Sequence, residues 1–417
     1  MTDVSPAVSA VPVVETDPGE LGFAADRLAR LDTRIGRYVD DGLLAGWSLL
    51  LTRRGRIAHV TARGRRDAEA NLPLELDTIF RIYSMSKPVT SLAAMMLWEQ
   101  GAFELTDPVS RYLPAFAETR VFAGGSDLAP VTVPAVEPLR VWHLLTHTSG
   151  LTYGFHRAHP VDAMYRARGG ETGSANNLAG VVDGFASMPL LFQPGTEWNY
   201  SVSTDVLGRL VEVLTGQSLE DALRSMIFEP LGMTDTQFAL PDAKRDRLAA
   251  LYVARPGGGL ARADAEAERV VAPTWFSGGG GLTSTLGDYH RFTQLLRNHG
   301  RLGDVRLIGD RTLRMMTRNH LPGGADLDTY GRALFAESPF RGVGFGLGFS
   351  VVLDPQAMHS PSSPGEYGWG GMASTAFWVD PVEDITAVFM TQLMPSSAYP
   401  LRSQLRQLVY SALVDTP

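Results

Sequence analysis

The chain has no cysteine, which removes disulfide staples, thiol nucleophiles and thiolate metal sites together. Hydroxyl, carboxylate, lysine and histidine chemistry remain. It has no basic block either. Its 37 Lys and Arg stand against 45 Asp and Glu, a formal net charge of −8, so nucleic acid as a partner has no electrostatic support. No apolar run approaches the length of a membrane span. The segment Met1–Glu20 holds Asp3, Glu15, Asp17 and Glu20 but no Lys or Arg, whereas a secretory leader needs a basic start and an unbroken apolar core. The expectation is a cytoplasmic protein, with no membrane partner and a disordered tail over residues 1–20. No internal repeat is visible. Gly-x-Ser-x-Gly, the nucleophile turn of the α/β-hydrolases, is also missing.

What the chain does contain is the material of a folded globular protein: 417 residues, 44% hydrophobic and 20% charged, more than one ordinary core requires. Apolar residues at helical spacing mark Phe23 to Leu43 (Leu28, Leu31, Ile35, Tyr38) and Ser86 to Gln100 (Val89, Leu92, Met96). Trp47–Leu51 and Ile57–Val60 flank Arg53-Arg54-Gly55-Arg56, a hairpin signal. Helices are expected at 139–145, 203–215, 218–229, 284–298 and 310–319. The period then changes, and Phe345–Leu353, Glu366–Trp369, Thr375–Val379 and Ile385–Met390 read as strands before a last helix at Ala398–Val414. The economical packing is α+β: one antiparallel sheet built from residues 21–80 and 340–417 with terminal helices on one face, and a mainly helical domain at 81–339 inserted between. Pro256–Gly259 and Ser277–Gly281 read as glycine-rich loops.

The chemistry begins at Ser84-Met85-Ser86-Lys87. A serine hydroxyl is a weak nucleophile at neutral pH unless something takes its proton. Residues three apart share a helix face, so this spacing at a helix start sets an amine beside a hydroxyl, next to the free backbone N–H groups of the first turn. His143 and His147 are four apart, but no acidic residue follows the first and the second lies in a turn; His147 reads as a loop brace. No metal and no cofactor is expected.

Around these residues the chain resembles a family. Phe80-Arg81-Ile82-Tyr83-Ser84-Met85-Ser86-Lys87-Pro88 is similar to the nucleophile helix of serine β-lactamase-like and penicillin-binding-protein-like enzymes, above all the family VIII carboxylesterases. His147-Thr148-Ser149-Gly150, Trp198-Asn199-Tyr200-Ser201 with Asp205–Gly208, Gly279-Gly280-Gly281, and Tyr367-Gly368-Trp369-Gly370-Gly371 follow in the family's order. The resemblance implies a β-lactamase/transpeptidase-like fold, Ser84 as nucleophile, and Tyr200 as candidate general base, its phenolate favoured by Lys87. Lys87 could equally shuttle the proton itself, and the sequence leaves the two open. It also implies an oxyanion hole from the backbone N–H groups of Ser84 and Met372, with Trp369, Gly370 and Gly371 at the substrate.

Two positions depart from the β-lactamase pattern. Trp369 stands where those enzymes carry a lysine for the substrate carboxylate, and Val202 stands in place of an asparagine. Losing the cation favours small neutral esters as substrates. The expectation is a serine carboxylesterase working through an acyl-enzyme at Ser84. The alternatives are an acyltransferase or amide/β-lactam hydrolase using the same intermediate, and a penicillin-recognising binding or scaffold protein that does not turn over.

Overall fold

The computed structural model describes residues 11–167, 175–263, 270, 272–332 and 334–414. Helix α1 (Ala25–Asp40) buries Leu28, Leu31 and Ile35, the stripe its spacing demands. Strands β1 (Gly46–Arg53) and β2 (Arg56–Asp67) follow, turning at Arg54 and Gly55, both at positive φ. A short β3 (Leu72–Pro73) precedes β4 (Ile79–Arg81) and helix α2 (Ser86–Glu99). The middle of the chain holds α3 (Val141–Leu145), α4 (Ser203–Thr215), β5 (Thr283–Thr285) and α5 (Leu286–Arg297). Strands β6 (Val343–Phe345), β7 (Ser350–Val352), β8 (Tyr367–Gly370), β9 (Ala376–Asp380) and β10 (Ile385–Thr391) lead to the last helix, α6 (Leu401–Ala412).

Eight strands form one antiparallel sheet in the order β6-β7-β8-β9-β10-β1-β2-β3. The two ends of the chain meet at β1 and β10, where Leu49 faces Phe389 and Leu51 faces Ala387. Side chains alternate across a strand, and both faces here are covered. Trp47, Leu49, Leu51, Ile385, Ala387 and Phe389 pack with α1 and α6 on one side. Leu50, Val388 and Met390 pack on the other side with α2, α5 and the helical middle. Helix α2 lies wholly inside: every residue from Ser86 to Leu97 is buried.

The short ribbon β4–β5 ties the entry of α2 to the glycine-rich turn, with Phe80 opposite Ser284. Two expectations need correction. The tail does not run free to residue 20, because Glu15 exchanges hydrogen bonds with Ile57 and Asp17 caps a short helix at Pro18–Leu21; residues 1–10 lie outside the described residues. The strand expected over 345–353 is two strands of a hairpin. Gly348 turns between them at φ +94, where a Cβ would lie 2.3 Å from Ser91 Oγ. The helix expected at 218–229 runs from Leu219 to Leu231, with a π-helical turn at Arg224–Phe228 inside it.

Candidate active site

Strand β4 delivers the chain to the site, and Tyr83 bends it. At φ +45, Tyr83 holds the left-handed conformation that a bulky side chain adopts only under constraint. The bend starts a single 3-10 turn, Tyr83–Met85, which runs into α2. Ser84 sits on that turn at the mouth of a cavity and is 8% exposed, while Lys87, one turn on, is 1% exposed. Lys87 Nζ lies 3.3 Å from Ser84 Oγ.

The amine is held from a second side. Lys87 Nζ donates a 2.7 Å hydrogen bond to the Gly279 carbonyl. That carbonyl is fixed because Asp205, in the first turn of α4, accepts from Ser277 Oγ at 2.6 Å and from the Gly279 N–H at 3.0 Å. A Cβ on Gly279 would lie 2.8 Å from Asp205 Oδ2, so the close approach needs glycine. Burial brings the Lys87 pKa down from 10.5 to about 8, against the opposing pull of Asp205 and Glu337. The amine is thereby neutral in a useful fraction near neutral pH.

Tyr200 closes the third side, its ring centroid 4.7 Å from Lys87 Nζ. His147 braces it: the His147 carbonyl accepts the Asn199 N–H, its Nδ1 pairs with Ser201 Oγ at 3.1 Å, and its ring lies 5.3 Å from that of Tyr200. Burial, with the field of Lys87 in support, holds His147 well below the usual imidazole range, so it is neutral. The expected lowering of the Tyr200 phenol does not occur. Burial, reinforced by Glu337, drives its pKa well above 10, outweighing the nearby Ser84 hydroxyl, Trp369 indole and Arg402 charge. Its hydroxyl has the Ser84 hydroxyl and the Trp369 indole as polar neighbours but no well-formed hydrogen bond.

The fourth wall comes from the sheet. A Cβ on Gly371 would lie 2.3 Å from the Ile82 carbonyl, and this contact sets Met372 beside the Ser84 turn. Ser84, Tyr200, Tyr153, Met372 and Glu337 line one cavity of about 580 Å³. Trp369, expected at the substrate, does not line it. It is buried, 5.5 Å from the Tyr200 ring and 5.3 Å from Phe345, facing a second cavity of about 470 Å³. Gly370 and Gly371 shape the wall from behind. Tyr153 and Glu337 escaped the sequence reading. No local pattern marks either one, since both reach the site from loops distant in sequence.

An antiparallel sheet covered by helices on both faces, with a Ser-x-x-Lys turn at the mouth of a buried helix, defines a serine hydrolase of β-lactamase/transpeptidase-like fold. The β-lactamase family profile matches residues 31–411. Protein Rv1367c of Mycobacterium tuberculosis is 34% identical over 365 residues, 87% of this chain and 89% of its own. Esterase EstB of Burkholderia gladioli is 32% identical, with 93% of this chain and 96% of EstB aligned. The solved structure of EstCE1, a hydrolase with promiscuous acyltransferase activity, matches with a TM-score of 0.77 at 29% identity, covering 92% of this chain and 99% of its own. The chain belongs to the β-lactamase family.

Proposed function

We propose that the protein is a carboxylesterase that hydrolyses small neutral esters through an acyl-enzyme at Ser84. The observation that carries this reading is the buried Lys87 amine, 3.3 Å from Ser84 Oγ and with a pKa of about 8. Neutral Lys87 takes the Ser84 proton as Oγ bonds to the ester carbonyl carbon. The oxyanion is held by the backbone N–H groups of Ser84 and Met372. The new ammonium is stabilised by the faces of Tyr200 and Tyr153, whose ring centroids lie 4.7 and 5.3 Å away. Tyr200, a phenol at neutral pH, gives its proton to the departing alkoxide and is reprotonated from Lys87. Water then repeats the sequence on the acyl-serine: its oxygen bonds to the carbonyl carbon as its proton goes to Lys87, the carbonyl–Oγ bond breaks, Ser84 Oγ takes a proton from Tyr200, which Lys87 reprotonates, and the acid leaves.

The leaning towards esters over β-lactams rests on Trp369, which puts an indole where a carboxylate-binding lysine would stand. The test is a panel of aryl esters of rising acyl length beside a chromogenic cephalosporin, with intact-mass analysis after a phosphonate inhibitor. Esters should be hydrolysed at least about tenfold better in kcat/KM, the value of one charge-assisted hydrogen bond, and a single adduct should map to Ser84. A cephalosporin turned over as fast as the esters, or an adduct on Ser86 or Ser149, would overturn the reading. Transfer of the acyl group to an added alcohol is the second reading, favoured by a cavity roomy enough for acyl chain and acceptor together. Product analysis with an alcohol present separates the two.

A further inference from the structure

One polar atom on the cavity wall has no part in the chemistry above and no partner of its own. Glu337 has a fully buried side chain, 0% exposed. Its Oε2 is taken by Arg402 Nη1 at 2.8 Å and by the Ser396 hydroxyl at 2.9 Å. Its Oε1 is buried and accepts no hydrogen bond, although the residue stands on the wall between the cavity of Ser84, Tyr200 and Met372 and the second cavity beside Trp369. Arg402 is fixed where it stands by its two terminal nitrogens: Nη1 also donates to the Glu337 carbonyl at 3.0 Å, and Nη2 donates to the carbonyls of Gly371 at 2.7 Å and Thr375 at 2.9 Å, while the buried Nε has no acceptor. The arginine therefore locks the Glu337 carboxylate to the strand end that carries Met372, so carboxylate and oxyanion site keep a constant separation.

A buried carboxylate oxygen without a donor is costly, and a donor that enters the cavity relieves the cost. Arg402 already balances the charge, so what is missing is a hydrogen bond rather than a second cation. We infer that Glu337 determines substrate specificity: its Oε1 accepts a hydrogen bond from a hydroxyl carried by the ester substrate, and the same oxygen repels a substrate bearing a carboxylate at that point. The inference rests on the ester-hydrolase reading and deepens it. Discrimination against β-lactams then has two sources, a cation missing at position 369 and an anion present at 337.

The test uses three esters of one length, ending in a methyl, a hydroxyl or a carboxylate, with the wild-type protein and Glu337→Gln. The amide keeps an oxygen for Arg402 and Ser396 and presents N–H₂ in place of Oε1. Wild type should favour the hydroxyl ester over the carboxylate ester by about tenfold or more in kcat/KM. In Glu337→Gln the lost charge acts on Lys87 and Tyr200 for all three esters alike, so the readout is relative: the hydroxyl ester should fall about tenfold against the methyl ester, chiefly through KM, and the carboxylate ester should rise against it. A role limited to holding Arg402 would lower all three together, and that result overturns the inference. Parity between hydroxyl and carboxylate esters in wild type overturns it as well, even if the variant fails to fold. Should wild type hydrolyse none of the three, it is the esterase reading that fails; hydrolysis without discrimination defeats only the assignment to Glu337.

Discussion

Lys87 and Tyr200 illustrate how burial sorts two groups that share a site. Removing solvent disfavours the charged form of each, so the amine titrates lower and the phenol higher. On this basis Lys87 is the proposed acceptor of the Ser84 proton at neutral pH. On a neutral ester, kcat/KM should climb with pH and level off above about 8, where Lys87 has lost its proton. Were a Tyr200 phenolate the base, the rising limb would lie well above pH 10, and a pH–rate profile decides between them. The same shift acts on stability. Because the folded-state pKa is lowered from 10.5, the ammonium penalises folding fully below pH 8, and the penalty fades as pH rises from there past 10.5. The difference is worth about 3 kcal/mol, of which about 1 is returned by the hydrogen bond to Gly279. Lys87→Met should thus be more stable than wild type by about 2 kcal/mol at pH 7 while losing most activity. Equal or lower stability in urea unfolding would contradict this account of the site.

At the scale of elements, the site is the meeting of a helix start, a glycine turn and a strand end, each placed by hydrogen bonds outside itself. The end of β8 is held twice: the Gly371 carbonyl accepts from Arg402 of α6, and its N–H donates to the Thr375 carbonyl at 3.0 Å. Gly371→Ala would put a Cβ 2.3 Å from the Ile82 carbonyl and 2.4 Å from Thr375 Oγ1. Backbone cannot swing aside as a flexible side chain can, so the strand must retreat from the Ser84 turn. A misplacement near 1 Å costs about a hundredfold in rate. Gly371→Ala should lower kcat by about that factor with a smaller change in KM. Steady-state kinetics showing a wild-type kcat would mean that Met372 does not hold the oxyanion.

On the scale of the molecule, the last helix keeps the sheet and the site in register. Arg402, Arg406 and Tyr410 stand four residues apart on α6. They reach respectively the Gly371 carbonyl, Glu366 at 2.8 Å, and the Glu366 and Asp380 carboxyls at 2.7 and 2.6 Å. One hydroxyl proton cannot serve two carboxylates, and burial holds Glu366 above the usual carboxyl range. A raised folded-state pKa contributes stability that is whole below the ordinary value of 4.5 and is lost as pH rises through the raised one. Tyr410→Phe leaves buried carboxyl oxygens without their donor and should cost about 2–3 kcal/mol. Urea unfolding measures it, and a change under about 0.5 kcal/mol would mean that α6 is docked by its apolar face alone.

The sequence alone determined what is local and periodic. Apolar spacing marked α1, α2 and α6, and short apolar runs marked β1, β9 and β10, because both signals are written in neighbouring residues. The pairing of Ser84 with Lys87 was legible for the same reason, being one helical turn. The ribbon Arg120–Gly125 with Pro130–Pro134, and the helices Pro160–Ala167 and Leu178–Ala186, escaped notice because short, half-exposed elements carry too few periodic positions. Tertiary structure decided the rest. Only packing shows that α2 is buried on every side, which is what brings Lys87 down to about 8 and drives Tyr200 upward. Only packing hides Trp369 behind Tyr200 and carries Glu337, 253 residues after Ser84 in the chain, onto the same wall. Desolvation and long-range proximity are properties of a folded interior, and no spacing along the chain encodes them.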